Sequence, residues 1–273
     1  MSKFNFNIDN SVDNISLQKT KIKNNTQRAE IAEKLYDLVD LDLPSGTLWC
    51  KYNVGVNPNK LNTARDWCGG YYAWGETHEK DIYDYVWKKY KYTKDITEYY
   101  VTMNKYCDTE GCGNVDHKTI LEPEDDAAYA WSKPNCKCHM PTIEQAEELE
   151  KYCSKRFINN YIKIEGLGVV IFKSTINDKE LIVPVTGGWK VNNSNWIHDY
   201  VPFWLANMVE DKNKDDVELK HRPNDRDNDY AAYVMLIGRC SGNQNPDKSY
   251  PAALQITNRS RQCGYPIRGV FNF

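Results

Sequence analysis

The first 25 residues are mostly polar, and a short run within them alternates between apolar and polar side chains. This run covers residues 4–9 (FNFNID). A period of two residues predicts a β-strand, because successive side chains of a strand point to opposite faces. An isolated strand of this length is marginal, so the run either adds to the edge of a partner's sheet or belongs to a disordered tail.

A helical period follows over residues 27–39. Ile31, Leu35 and Leu38 recur at the spacing of one helix face, and the other positions are largely charged or polar. A short helix with one apolar face must pack on something, either the rest of the chain or sister chains. We therefore predict that residues 1–38 form an attachment or oligomerisation segment and that residues 39–273 form one domain.

Two further helices are predicted in the middle of the chain. The first covers residues 123–132, where a proline in the first turn and three acidic residues favour a helix N-terminus. The second begins at Thr142, which has capping-box spacing to Gln145, with Ala146 and Leu149 on its buried face.

Beyond residue 165 the apolar runs are short and typical of strands. They cover residues 167–172, 181–185, 231–237, 252–257 and 267–271. Between the second and third run lies a charged stretch, residues 210–229, which is typical of a solvated insertion or loop. Helices followed by strands predict an α+β fold rather than alternating βαβ units.

Composition refines this picture. The 273 residues include 19 Tyr and 8 Trp, which bury large areas and keep a polar edge that needs a partner. This bias suits a loop-rich fold with aromatic packing. The formal net charge of -3 gives no basic surplus for binding nucleic acid. No apolar stretch is long enough to span a membrane, so membrane insertion is not expected.

The cysteines and the N-terminus indicate a compartment. Nine cysteines cannot all pair within one chain, and the start has no basic region followed by an apolar one. We therefore expect folding in a reducing cytosol, with most thiols buried or free.

Several sequence blocks follow one another in the chain: VDLDLPSGTLW at residues 39–49, YAWGET at 72–77, LEPEDDAA at 121–128 and MPT at 140–142, followed near the end by Arg268. In this order they resemble the Fibrobacter-type major paralogous domains that are common in Bacteroidetes. The resemblance spans residues 39–273. One departure is Gly269, which stands where the family usually has proline.

The resemblance implies a C-type-lectin-like domain with two helices and a twisted, mainly antiparallel sheet. It also implies a relation to the formylglycine-generating, or sulfatase-modifying, group. Enzymes of that group bind copper through two cysteines placed close together near the C-terminus. The late cysteines here, Cys240 and Cys263, are 23 residues apart in the sequence, so their spacing does not match. Arg268 is expected to be structural.

Two other metal hypotheses arise from the sequence. Cys107, Cys112, Cys136, Cys138 and His139 offer zinc-ligand types, but C-x₄-C and C-x-C are weak spacings, and buried or surface thiols are the favoured explanation. Asp225, Asp227 and Asp229 begin like an EF-type calcium loop that lacks the later glycine and glutamate. We therefore predict no metal and no cofactor.

No catalytic group is predicted either. The acidic residues Glu122, Glu124, Asp125 and Asp126 look like candidates for acid–base chemistry, but their position at a helix start accounts for them. Serine, histidine and aspartate occur without a nucleophile-elbow context. The chain is thus predicted not to be an enzyme.

The remaining candidate is a binding surface formed by loops of the C-terminal half. In lectin-like folds this half carries recognition, and aromatic, amide and guanidinium groups suit a glycan or a protein epitope. The predicted ligand-binding residues are Trp196, Trp204, Asn207, Arg239, Asn243, Gln244, Asn245, Asn258, Arg259, Arg261 and Tyr265. For Trp204 a place in the core was an equal alternative.

These observations lead to one functional hypothesis and two alternatives. The hypothesis is a phage virion component (a head fibre, a decoration protein or a tail-fibre protein) that displays the lectin-like domain for host attachment. Its partners are expected to be other virion proteins, contacted through residues 1–38. It is also expected to form a homo-oligomer, for which a trimer is typical of such fibres. The alternatives are a bacterial cell-surface adhesin and a copper-dependent oxidase.

Overall fold

The computed structural model describes residues 37–97, 101–132, 137–185, 200–209, 230–245 and 247–272. Several predictions lie outside these ranges. They are the strand at residues 4–9, the helix over residues 27–36, the charged stretch with its three aspartates, Trp196 and Cys136.

Eleven strands and three α-helices are present in these ranges. The strands are β1 (Leu38–Asp40), β2 (Leu48–Cys50), β3 (Thr93–Ile96), β4 (Val101–Met103), β5 (Cys153–Ile158), β6 (Val169–Ser174), β7 (Glu180–Pro184), β8 (Tyr200–Met208), β9 (Ala231–Arg239), β10 (Tyr250–Ser260) and β11 (Val270–Phe271). The helices are α1 (Ala64–Cys68), α2 (Ala127–Trp131) and α3 (Ile143–Tyr152).

Six strands form the main sheet in the order β7-β6-β5-β10-β9-β8, and all neighbours are antiparallel. The hairpin of β9 and β10 pairs from Ala252 and Arg239 to Ser260 and Ala231. Its side chains alternate between two cores: Met235 and Ile237 belong to one, and Val234 to the other. Strand β9 is therefore buried on both faces over much of its length, whereas β10 is mostly half-buried.

The first core lies between the sheet and α3. Ala146 and Leu149 of α3 pack with Trp49 of β2 against the sheet. The predicted capping box is present, because the Thr142 side chain accepts from the Gln145 amide and the Gln145 side chain accepts from the Thr142 amide. α3 thus begins where the sequence predicts.

The second core is aromatic. Its rings meet edge to face, as Trp74 and Tyr106 do with centroids 5.1 Å apart. The polar edges bind backbone carbonyls: Tyr90 donates to the Trp74 carbonyl at 2.7 Å, and Tyr92 donates to the Gly75 carbonyl at 2.8 Å. The Tyr- and Trp-rich composition therefore holds irregular segments in place, because each ring supplies both buried area and a hydrogen bond.

A small sheet, β1-β2-β11, joins the two ends of the described chain. Here Val270 exchanges backbone hydrogen bonds with His139, which precedes α3. Arg268 lies fully buried beside this sheet and donates to the carbonyls of Cys50 and Lys51 at 2.8 and 2.6 Å. The C-terminal residues therefore close the fold.

The α+β prediction is confirmed, with local corrections. The helix over residues 27–39 is wrong at its end, because Leu38 and Val39 pair in β1. The helix over residues 123–132 is split into a 3-10 turn and α2, because the Asp126 side chain caps α2 by accepting from the Ala128 and Tyr129 amides. Helix α1 and strands β5 and β8 were not predicted. Within the described ranges, no helix has both the length and the apolarity needed to cross a bilayer.

Candidate functional site

Three of the predicted ligand-binding residues lie in the aromatic core, and for them the prediction is wrong. Trp204, Arg261 and Tyr265 are 0%, 0% and 2% exposed. Trp204 donates its indole N–H to the Tyr72 carbonyl at 2.8 Å and packs on Tyr265 with centroids 4.9 Å apart. The loop expected around residue 204 is strand β8, which is buried on both faces.

Arg261 is held by the backbone rather than by a carboxylate. Its guanidinium donates to the Tyr106 carbonyl at 2.7 Å, the Lys105 carbonyl at 3.2 Å and the Tyr90 hydroxyl at 3.1 Å. It also lies over the Trp74 ring, 4.9 Å from the centroid. This buried cation connects the end of β10 to Tyr90 and to the segment that follows β4, so Arg261 is structural.

Asn207 also has a structural role. Its side-chain oxygen accepts from the Ile143 amide at 3.0 Å, at the first turn of α3. Because helix N-termini leave amides unsatisfied, this contact ties β8 to α3. The amide oxygen is therefore already used, contrary to its predicted role in a ligand site.

The other predicted residues fall at the two ends of the β9–β10 hairpin. Arg259 and Asn258 lie half-buried near one end, and Arg259 donates to the Asn258 carbonyl at 2.7 Å. Arg239 lies at the other end, seven positions along β9 from the partner of Arg259, which is roughly 23 Å at about 3.3 Å per residue. The predicted set therefore does not form one site.

The end that carries Arg239 is the better candidate. The Arg239 guanidinium lies over the Tyr250 ring at 3.8 Å, and Tyr250 packs beside Phe157 with centroids 6.3 Å apart. All three side chains are partly exposed. We call Phe157, Arg239, Tyr250 and the turn residues Asn243, Gln244 and Asn245 the hairpin-end platform.

The turn of this platform is braced by its own hydrogen bonds. Asn245 accepts from the Lys248 amide at 2.9 Å and donates its own amide to the Ser249 carbonyl at 2.7 Å. Its side chain donates to the Ser249 hydroxyl at 3.0 Å, and the Gln244 side chain donates to the Lys248 carbonyl at 3.0 Å. These exposed amides are therefore held in place and still face solvent.

The two arginines at the platform, Arg156 and Arg239, differ in whether they form ion pairs. Arg156 forms exposed ion pairs with Glu180 at 3.1 Å and with Asp247 at 3.4 Å. Hydrogen bonds from Ser249 hold the pKa of Asp247 below its usual value. The Arg239 guanidinium forms no hydrogen bond or ion pair with any residue that the structure describes. The N–H donors of Arg239 are thus more available than those of Arg156 to an acceptor on a bound ligand.

Sequence reasoning missed Phe157 and Tyr250. Tyr250 precedes a predicted strand, and extending that strand by two residues would have placed it diagonal to Arg239 across the hairpin, because Ala252 is the residue that pairs with Arg239. Phe157 lies in β5, which follows α3 without a loop and was not predicted. Only the pairing of Tyr250 with Phe157 brings the two rings together.

The copper hypothesis that uses Cys240 and Cys263 is wrong. Cys240 is adjacent to the start of β10 through its hydrogen bond to Pro251, and Cys263 follows the end of that strand. An eleven-residue strand separates them by roughly 30 Å at about 3.3 Å per residue. One ion cannot bridge this distance.

The described part of the zinc set is also dispersed. Cys107 and Cys112 are buried in the aromatic core, whereas Cys138 is buried beside Cys50 in another cluster. His139 contacts the Met140 carbonyl through its Nδ1 atom. Among the described residues, the group with metal-ligand spacing is Glu122, Glu124 and Asp125.

That acidic group is engaged by lysines. Asp125 accepts from Lys91 and Lys105, both at 2.6 Å, and from the Tyr106 hydroxyl at 2.7 Å. Glu122 pairs with Lys105 at 2.5 Å and with Lys118 at 2.6 Å, and these contacts lower the pKa of Glu122 to about 2. A cation would have to displace ammonium groups, so this cluster is an ion network that supports the fold.

Comparison with known proteins adds no relative. The chain matches no family model, no curated protein and no solved structure.

Proposed function

We propose that the chain is a non-enzymatic recognition module that binds an acidic glycan on a host surface at the hairpin-end platform. The observation that carries the proposal is Arg239, a guanidinium held flat on Tyr250 with its donors directed to no described residue. A pre-positioned guanidinium binds a carboxylate through two parallel hydrogen bonds. The exposed rings offer an apolar surface to a sugar ring, and the braced amides offer hydrogen bonds to its hydroxyl groups.

We also propose that residues 39–273 form a C-type-lectin-like domain. The support is the order of the sequence blocks and the roles that they take. The block at residues 72–77 supplies Trp74 and Gly75 to the aromatic core. The block at residues 121–128 supplies the ion network and the cap of α2. Such blocks belong to a scaffold that leaves recognition to surface segments.

As a test, replacement of Arg239 by alanine is expected to weaken binding to an acidic oligosaccharide at least tenfold, because about 1.5–3 kcal/mol rests on a hydrogen bond to a charged group. Purified wild-type chain would be screened on an array of neutral and uronic- or sialic-acid-bearing oligosaccharides, and affinities would be measured by calorimetry. Arg259→Ala is the matched control, since it removes an arginine at the other end of the hairpin. Equal binding by wild type and Arg239→Ala would refute the platform as the site.

We further propose that the chain is a virion component anchored through residues 1–38, as a homo-oligomer. Seven of the eight described cysteines are buried, which suits folding in a reducing cytosol where virions assemble. The alternative is a bacterial surface adhesin.

Mass spectrometry of purified particles tests this location. The full chain is expected in the particles, and a chain lacking residues 1–25 is expected to fold, as judged by an unchanged melting temperature, but to be absent from them. Recovery of the full chain in the bacterial surface fraction instead of the particles would favour the adhesin. Incorporation of the shortened chain would contradict the anchoring role.

A further inference from the structure

Two buried thiols face each other in the small cluster beside β2. The Cys50 and Cys138 sulfur atoms are 3.6 Å apart, and the two side chains are 6% and 5% exposed. Cys50 ends β2, and Cys138 precedes α3, so the pair joins segments far apart in the sequence. A disulfide requires the sulfur atoms to approach to about 2.05 Å, which is a small movement from this distance.

The C-terminal residues hold both cysteines in this arrangement. The Cys50 amide donates to the Gly269 carbonyl at 2.9 Å, and the His139 amide donates to the Val270 carbonyl at 2.9 Å. Both segments that carry a cysteine are therefore hydrogen-bonded to two consecutive residues, Gly269 just before β11 and Val270 at its start.

Because Gly269 has no side chain, the two thiols have room beside it. A Cβ atom at this position would lie 3.0 Å from the Cys50 sulfur and 3.7 Å from the Cys138 Cβ. A contact of 3.0 Å is closer than van der Waals distance, so a larger residue would push the Cys50 sulfur aside. The glycine at this position thus leaves room for the thiol pair.

A buried cation lies next to Cys50. Arg268 donates to the Cys50 carbonyl and forms no ion pair with any described residue. Burial lowers the pKa of Arg268 to about 10. Because this guanidinium is hydrogen-bonded to the backbone of Cys50, we assign Cys50 as the sulfur that attacks the oxidant.

We propose that Cys50 and Cys138 form a disulfide when the folded chain meets hydrogen peroxide. The Cys50 thiolate attacks one peroxide oxygen, the O–O bond breaks, and the leaving hydroxide takes a proton to become water. The Cys138 thiol then attacks the sulfenic acid at Cys50, the S–O bond breaks, and a second water leaves with the thiol proton. Two thiols lose two electrons in total, and the peroxide is reduced to two waters.

The cross-link closes a loop between residues 50 and 138 and so restricts the unfolded chain. Its biological meaning rests on the proposed function. A chain that folds in the cytosol and is then displayed outside the cell would gain the cross-link after release, where oxidants are present. The chemistry itself depends only on the folded domain.

The experiment uses the full purified chain, either reduced or treated with hydrogen peroxide. Peptide mapping without reductant is expected to give a Cys50–Cys138 peptide, and the melting temperature is expected to rise by about 10 °C, as for a cross-link that closes a long loop. Cys50→Ala and Cys138→Ala are each expected to abolish both signals. Cys153→Ala, another buried cysteine, is the matched control and is expected to retain both.

Gly269→Ala keeps both thiols and provides a test in a variant with no cysteine removed. It is expected to slow formation of the cross-linked peptide several-fold. A peptide that joins Cys50 to Cys136, oxidation to sulfinic acid without a cross-link, or an unchanged Gly269→Ala rate would each overturn the proposal. Loss of glycan binding or absence from particles would instead refute the proposed function, and both leave the peptide map unaffected.

Discussion

Replacement of Arg261 by alanine is expected to lower the free energy of unfolding by about 4 kcal/mol or more. The guanidinium is fully buried and donates to the carbonyls of Lys105 and Tyr106 and to the Tyr90 hydroxyl. Alanine would leave these acceptors without a donor and would open a cavity beside Trp74. Each effect alone is among the largest that a single substitution produces.

Arg259 provides the matched control for this substitution. It lies two residues earlier in the chain, within β10, and is half-buried, so Arg259→Ala is expected to change the stability by no more than about 0.5 kcal/mol. Arg261→Lys is expected to lower the free energy of unfolding nearly as much as Arg261→Ala, because a single ammonium group cannot replace a planar guanidinium that reaches three acceptors. Urea unfolding followed by tryptophan fluorescence measures all three variants. Similar losses for Arg259→Ala and Arg261→Ala would contradict the structural role of Arg261.

The second large expected effect is a loss of folding stability at low pH. The ammonium groups of Lys105 and Lys91 and the hydroxyl of Tyr106 hold the pKa of Asp125 well below its usual range, although burial acts against them. A carboxyl group whose pKa is lower in the folded chain than in the unfolded chain stabilises the folded chain at pH values above the unfolded pKa of about 4. This stabilisation is lost as the pH falls through that value toward the folded pKa. Wild-type stability is therefore expected to decrease from about pH 5 downward.

The variant Asp125→Asn isolates this contribution. At pH 7 it is expected to be less stable than wild type by about 2 kcal/mol, because two charge-assisted hydrogen bonds are lost. As the pH falls toward about 2 the difference should shrink, because the unfolded wild-type chain takes up a proton at Asp125 and the folded chain resists protonation there. Burial raises the pKa of the neighbouring Asp126, but this opposite effect is common to both proteins and cancels in the difference.

An exposed ion pair gives the control for the acid experiment. Asp84 pairs with Lys89 at 3.4 Å on the surface, so Asp84→Asn is expected to change stability by no more than about 0.5 kcal/mol at any pH. Urea unfolding at a series of pH values between 7 and 2.5 provides the measurements. A gap between wild type and Asp125→Asn that stays constant over this range would show that the carboxylate does not titrate with folding.

Elements with local causes were predictable. The start of α3 follows from a capping box within four residues, and β9 follows from an apolar run that is buried on both faces. The helix over residues 27–39 was wrong at Leu38, because pairing with Cys50 overrides a weak helical period. β5 was missed since it follows α3 directly, with no turn residue to mark the change.

The candidate site was only partly predictable. Arg239 and the turn amides were identified, but Trp204, Arg261 and Tyr265 were placed at the surface and lie in the core. An aromatic ring with a polar edge and an arginine with five donors suit either place. Which place they take depends on whether backbone carbonyls converge on them, and that convergence involves segments more than a hundred residues apart.

The sequence by itself determined the α+β class, the cap of α3 and the aromatic bias of the core, because these depend on neighbouring residues and on total composition. Only the tertiary structure decided which polar groups are free. Lysines neutralise the acidic cluster, carbonyls bind Arg261 and Arg268, and Arg239 lies on Tyr250 without a described partner. The physical reason is that hydrogen bonds and ion pairs act over a few ångströms, and only folding brings distant donors and acceptors within that range.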